Sequence, residues 1–299
     1  MISIIICSTK PDISVILKEN INDTIGVDYE LIVIDNSTNL ESIFSAYNKG
    51  VEQSKFSFLC FIHEDILFRT KDWGKNIIAH LNEKNTGIIG VSGGKIMTKV
   101  PASWWLAGPG CKNIIQHYKN KTTLLEVSEN CSGIRQPAIV LDGVFLSLRR
   151  ELFNQIRFDA ELSGFHGYDH DICVQSIVAG FNNYVVFDML IEHFSEGSMN
   201  AQYYTNLIKI HKKWQNYLPL FSIDTPGEAK KNINNTELKL LGKFIRRMVR
   251  TGFTTEEIIL NTKFFIDRLA NKKAKERLKF IYFTIFIERL IKAPKYLFK

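Results

Sequence analysis

The stretch FSFLCFIHED, residues 56–65, decides how this chain is read. An apolar run ends abruptly in three ionisable residues, His63, Glu64 and Asp65. A short unbroken apolar run is the pattern of a strand covered on both faces. Side-chain direction alternates along a strand, so His63 and Asp65, spaced by one residue, point the same way from its end. Such a pair suits a divalent cation, because Mg2+ and Mn2+ prefer oxygen and Mn2+ also accepts imidazole. The other reading is a solvated acidic loop.

Working outward, strand-like runs at residues 2–7, 29–35 and 87–91 alternate with helical patterns at 11–20, 40–53 and 72–81, the last opening on Asp72 as a cap. Strands alternating with helices of this length predict an α/β fold with a mostly parallel central sheet flanked by helices, and ligands at the carboxyl ends of its strands. Polar clusters stand at those ends: Ser8-Thr9-Lys10, Asp35-Asn36-Ser37 and His63-Glu64-Asp65. Residues 93–135 read as loop with one hairpin, 138–148 as a strand, 169–179 as a helix after a glycine-bearing link, 184–187 as a strand and 200–217 as a helix. The expected organisation is a catalytic body over 1–218, a linker over 219–237 and a basic helical tail over 238–299.

Composition narrows the class. The 299 residues are 45% hydrophobic and 23% charged, ordinary for a globular protein. No run reaches the roughly 18 to 20 apolar residues that span a bilayer, and the N-terminus lacks the basic region and cleavage site of a signal peptide. The five cysteines form no C-x-x-C pair, which argues against a zinc site or a disulfide framework and fits a reducing cytoplasm. Residues 239–299 hold 16 Lys and Arg against 5 Asp and Glu, so the overall charge of +7 divides into a mildly acidic body and a strongly basic tail.

Other candidates each carry two readings. Asp35 suits a nucleobase or ribose contact, or a helix cap. Asp169 and Asp171 open a helix, where carboxylates favour the dipole, but the glycines before them supply a loop able to bring one over a substrate. His193 reads as a third metal ligand, a phosphate contact or a loop histidine. Trp104 and Trp105 suit stacking on a sugar acceptor, or core packing beneath a loop.

Taken in order, CST, IVIDNST, AYNKG, FLCFIHEDI, LDGVFLSLRRELF, GFHGYDHDIC and IEHFSEGS resemble glycosyltransferase family 2 and its GT-A relatives over about residues 1–215. The chain is most similar to a bacterial branch in which His-x-Asp replaces Asp-x-Asp. The resemblance implies a nucleotide-sugar donor, a UDP-sugar by default, and a divalent metal, Mn2+ or Mg2+. Thr9 and Asp35 would contact nucleobase or ribose. Asn48, Glu64, Asp142 and Gly143 would line the donor pocket. Asp65, His63 and His193 would bind the metal, and Asp169 would be the general base of an inverting displacement. Trp104, Trp105 and Asp171 are the acceptor-side candidates.

In the tail, residues 280–287 (FIYFTIFI) form an apolar run between basic flanks. They suit an interfacial helix on anionic lipid, peripheral to the inner face of the cytoplasmic membrane, or equally a bundle packed on protein. Basic residues interleaved with large aliphatics disfavour nucleic acid. A saccharide or lipid-linked acceptor, in surface polysaccharide or glycoconjugate synthesis, is the expected partner. The competing reading is a non-catalytic GT-A domain acting as a membrane scaffold. A nucleotidyltransferase is disfavoured because no glycine-rich phosphate loop follows the first strand.

Overall fold

The computed structural model describes residues 1–38, 41–120, 122–128 and 133–269. The apolar run at 280–287 lies outside the described residues. The chain begins with β1 (Ile2–Ser8), α1 (Val15–Thr24), β2 (Tyr29–Asp35), α2 (Ile43–Gln53) and β3 (Phe58–Ile62), with β1 parallel to both β2 and β3. Alternation along β1 sends Ile2, Ile4 and Ile6 into one core with Leu17 and Ile21 of α1, and Ile5 into another with Phe44 and Tyr47 of α2. Helices cover both faces, which is why β1 reads as an unbroken apolar run. Each fully buried isoleucine contributes about 1.5–3 kcal/mol. Gly50 lets α2 lie against β1, since a Cβ there would stand 2.3 Å from Ile5 Cγ2.

A short β4 (Ile66–Phe68) leads to α3 (Trp73–Asn82) and β5 (Thr86–Gly90). Helix α3 begins where expected, but Asp72 is not its side-chain cap. Asp72 is left-handed at φ 58° and its carboxylate pairs with Lys75 at 2.9 Å. The tight approach of Gly74, whose N–H donates to Ile25 O at 2.9 Å, fixes this start instead.

The stretch expected to be mostly loop contains β6 (Ser92–Gly94), β7 (Ile96–Met97), a 3-10 turn at Trp104–Leu106, and the β8 (Gly110–His117)–β9 (Thr123–Val127) hairpin. Then follow β10 (Arg135–Ala138), β11 (Val140–Leu141), β12 (Phe145–Arg149), α4 (Arg150–Phe153), α5 (Tyr168–Val178), β13 (Asn182–Val186) and β14 (Ile191–His193). The run 138–148 is therefore not one strand. It breaks at Asp142, whose carboxylate accepts the Val144 N–H at 3.1 Å in an Asx turn.

The central sheet runs β10-β13-β5-β12-β3-β1-β2 and is mixed, with β12 antiparallel to both neighbours. A second sheet, β11-β6-β8-β14-β4, is joined to it by the turn from β3 into β4. Its glycines and buried polar residues, such as Gly93, Gly94 and Asn113, hide the apolar alternation that reveals strands.

The chain closes with α6 (Ala201–Lys213), β15 (Leu220–Phe221), α7 (Gly227–Lys231), α8 (Ile233–Thr251) and α9 (Thr255–Arg268). Residues 219–237, expected as linker, are folded: β15 pairs with β7, and buried Glu237 accepts the Lys99 N–H at 2.8 Å. Leu241, Phe244 and Met248 of α8 and Phe265 of α9 share a core with Leu207 and Ile208 of α6. Among the described residues no helix is long and apolar enough to cross a membrane.

Candidate functional site

Strand β3 ends at Ile62, and His63, Glu64 and Asp65 form the turn into β4. Strand β14 lies between β4 and β8, with His193 opposite Ile66 on one side and Gln116 on the other. That pairing carries His193 from 128 positions downstream to Asp65 and closes the group with the Phe194 N–H donating to Asp65 O at 3.0 Å. Ligand-capable atoms of His63, Asp65 and His193 all lie within 4.8 Å of one another.

The hydrogen-bond network sets both imidazoles for a cation. Tyr168 Oη donates to Gly143 O at 2.9 Å and so accepts from His63 Nε2, also at 2.9 Å. His63 Nδ1 is then unprotonated and faces Asp65 Oδ1 at 4.0 Å. Gln116 spends its amide N–H groups on His117 O and Ser195 O. Its carbonyl therefore accepts from His193 Nδ1 at 3.0 Å, leaving the Nε2 lone pair 3.5 Å from Asp65 Oδ1. Burial, and then the proximity of a second titratable imidazole, His193, hold the His63 pKa below its ordinary value against the pull of Asp65, Asp142 and Asp169. Burial works to raise Asp65, but the neighbouring imidazoles of His193 and His63 and the Ser195 hydroxyl hold it far below the carboxylate range. Two imidazole lone pairs and one ionised carboxylate converge, a mixed nitrogen and oxygen set able to hold a divalent ion that accepts imidazole as well as oxygen.

The surroundings follow from the turns at the strand ends. Asp142 accepts the Trp104 indole N–H at 3.2 Å on the oxygen not used by Val144. Gly143 has no room for a side chain, since a Cβ would stand 2.2 Å from Tyr168 Oη. Asp169 lies in the first turn of α5, where its Oδ1 accepts from His170 N at 2.8 Å and His170 Nδ1 at 3.0 Å. Its Oδ2 takes no hydrogen bond among the described residues. Burial opposes ionisation of Asp169, but the attraction and hydrogen bonds of His170, with His166 behind them, keep its pKa below the usual value.

The structure thus gathers His63, Asp65, His193, Asp142, Gly143 and Asp169. Glu64 bridges to β1, accepting from the Ser8 and Thr9 hydroxyls and the Thr9 N–H, so the Thr9 hydroxyl is committed to Glu64. Asp35 ends β2 beside Ser8, exposed and holding the Ser37 N–H at 2.9 Å. Two candidates are turned elsewhere. Asn48 donates to Phe158 O at 2.8 Å from within α2. Asp171 is buried and saturated by Trp214 Nε1, Lys213 Nζ and Gln175 Nε2, which makes it a tie between α5 and the end of α6. Of the tryptophans, Trp104 is buried and Trp105, 45% exposed, stands edge-on to it. Tyr168, Gln116 and Ser195 are not visible from sequence, because nothing in spacing marks a residue that orients a ligand rather than serving as one.

A model of the glycosyltransferase-like family matches residues 3–214. No curated protein matches the chain. Among solved structures, S. aureus TarS 1–349 in complex with UDP-GlcNAc aligns with 13% identity over 91% of this chain and 82% of its own, at a TM-score of 0.52. GalNAc-T7 with UDP, GalNAc and Mn2+ aligns with 11% identity over 90% of this chain, at a TM-score of 0.53. This chain spans 56% of the length of GalNAc-T7. At these identities the likeness speaks for the fold alone. A family match from the first strand through α6, on a GT-A fold with its acidic turn at the end of β3, makes this chain a member of the glycosyltransferase-like family.

Proposed function

We propose that this protein moves a sugar, with inversion, from a nucleotide-diphosphate sugar to a hydroxyl of a saccharide or lipid-linked acceptor. A UDP-sugar is the favoured donor. The observation that carries the reading is the convergence of His63, Asp65 and His193 at the carboxyl end of β3, with Asp169 in the same electrostatic neighbourhood. A divalent cation held there, Mn2+ or Mg2+, supplies charge for the donor diphosphate.

The chain's own groups do the rest. Asp35, at the end of β2, offers a carboxylate to the ribose or base. Asp142 and Gly143 border the donor sugar, with Trp104 fixing Asp142. Asp169 Oδ2 takes the proton of the acceptor hydroxyl as that oxygen bonds to the anomeric carbon. The bond from the anomeric carbon to the diphosphate breaks, and its electron pair leaves with the nucleoside diphosphate. Trp105, exposed above Trp104, offers a face for the acceptor sugar. The basic composition of residues 239–299 supports work at an anionic membrane surface, where a lipid-linked acceptor resides in polysaccharide or glycoconjugate synthesis. The oriented lone pairs and the unencumbered Asp169 oxygen favour catalysis over a scaffold role.

Calorimetric titration with UDP, GDP, dTDP and CMP, with and without Mn2+, tests the reading on wild type and Asp65→Ala. Tight binding of UDP that needs both Mn2+ and Asp65 is the expected result. A folded protein that binds none of the four overturns it.

A further inference from the structure

A cavity of about 300 Å3 opens between the Trp104–Leu106 turn, the start of α6 and the exposed flank of α8. Its apolar lining includes Trp105, Tyr204 and Phe244, and its charged wall includes Lys243, Arg246 and Arg247. These three cations occupy i, i+3 and i+4 of α8, one face of the helix, beside the stripe of Leu241, Phe244 and Met248 that packs inward. Like charges at this spacing repel, and no described carboxylate pairs with these three.

The cavity adjoins the catalytic groups by two short routes. Trp105 contacts Trp104, with ring centroids 5.4 Å apart, and Trp104 binds Asp142. Ser103, in the cavity lining, hydrogen bonds Tyr203 Oη at 2.7 Å. The Tyr203 ring in turn lies 5.6 Å from that of His166, three positions before Asp169.

We infer that this cleft binds a phosphoryl group carried by the acceptor, with guanidinium groups on the phosphate oxygens and the aromatic floor under the attached sugar or lipid. That the group belongs to an acceptor rests on the transferase reading; the phosphate cleft itself does not. Arginine pairs bind phosphate in bidentate fashion, and aromatic faces take the apolar side of a sugar or an isoprenoid. Helix α8 begins after residue 214, where the family match ends, so this wall lies beyond the matched region. Two sources share this chemistry: a phosphate on the saccharide, and a diphosphate joining it to a lipid carrier.

Calorimetry on the full chain with glucose 1-phosphate and with geranyl diphosphate separates the sources. The proteins are wild type, Arg246→Ala/Arg247→Ala, Lys243→Gln and Asp65→Asn, each checked by its melting temperature. The substituted side chains on α8 are exposed, so those variants are expected to fold. One probe is expected to bind, to weaken at least about tenfold in the double arginine variant and less in Lys243→Gln, and to be unaffected by Asp65→Asn. The probe that binds names the position of the phosphate. Binding that falls with Asp65→Asn but not with the arginines belongs to the donor site and overturns the inference. So does silence from both probes, including the case where phosphatidylglycerol vesicles bind through these arginines, which assigns the wall to a membrane surface. UDP with Mn2+, titrated in the same series, reads the donor site separately. If UDP fails while a probe binds through the arginines, the transferase reading falls and the phosphate cleft stands.

Discussion

His193 Nε2 lies 3.5 Å from Asp65 Oδ1, and the ring is turned there by Gln116, whose carbonyl holds Nδ1 at 3.0 Å. The same carboxylate oxygen faces His63 Nδ1, so orientation of the donor set depends on residues that are not ligands. Outer partners of metal-bound histidines are worth about 10–100-fold in metal affinity. Gln116→Leu is expected to weaken Mn2+ binding by about tenfold, while transfer at saturating Mn2+ stays near wild type. A Mn2+ titration followed by activity at high metal checks this. Unchanged affinity would remove Gln116 from the orienting role.

Asp169 is held ionised by His170, with one oxygen left for a substrate proton. Asp169→Asn should lower the transfer rate by about 10^2–10^4-fold, the usual contribution of a general base, with UDP and Mn2+ affinity little changed. The carboxyl pKa is depressed, so the acid limb of the rate profile set by this group should fall below the ordinary value of about 3.9. His170→Asn removes the attraction that lowers it and should move that limb upward. Rate–pH profiles of wild type and His170→Asn decide the point, and a limb that moves downward contradicts the assignment.

Gly143 and Tyr168 form a steric lock behind His63. A methyl at position 143 would meet Tyr168 Oη at 2.2 Å and the ring carbon Cζ at 2.5 Å, and Tyr168 is buried. Gly143→Ala is expected to cost about 1–3 kcal/mol of stability, as for other overpacked sites. It should also weaken Mn2+ binding, because Tyr168 aligns His63. Denaturant melts and metal titrations read the two effects; a variant as stable as wild type with the same Mn2+ affinity would show that the turn yields freely.

The first three strands are legible in the sequence because β1 and β3 are apolar on both faces and end in polar residues. His63 and Asp65 are legible as a pair because both stand at one strand end. His193 joins them only through the β4–β14 pairing, a long-range contact that spacing does not encode. The second sheet is hidden because its strands are short and carry Gly93, Gly94 and Asn113 in place of regular apolar alternation. Asp171 looks equivalent to Asp169 in sequence, but a helical step of about 100° per residue turns it some 200° away, toward Trp214 and Lys213. The basic tail reads as a separate unit because its charge differs from the body, although Phe244 and Phe265 pack into a core shared with α6.

His211 gives the fold a pH dependence of its own. It is buried on α6 facing α9, with Nδ1 donating to Leu207 O at 2.8 Å and the Phe265 ring centroid 6.4 Å away. Burial lowers its pKa to about 3, partly offset by the bond to Leu207. The folded form therefore keeps it neutral, while the unfolded chain takes up a proton below its ordinary value of about 6.5. Between those two values the unfolded state binds more protons, so stability falls as pH drops, by at most about 1.4 kcal/mol per unit from this group. Above the ordinary histidine value the contribution is complete and flat. His211→Leu removes the titrating group and keeps an apolar filling beside Phe265. Urea melts from pH 7 down to pH 5 are expected to show a shallower loss of stability in His211→Leu than in wild type. Parallel slopes would mean that acid sensitivity arises elsewhere, and that His211 is protonated within the fold.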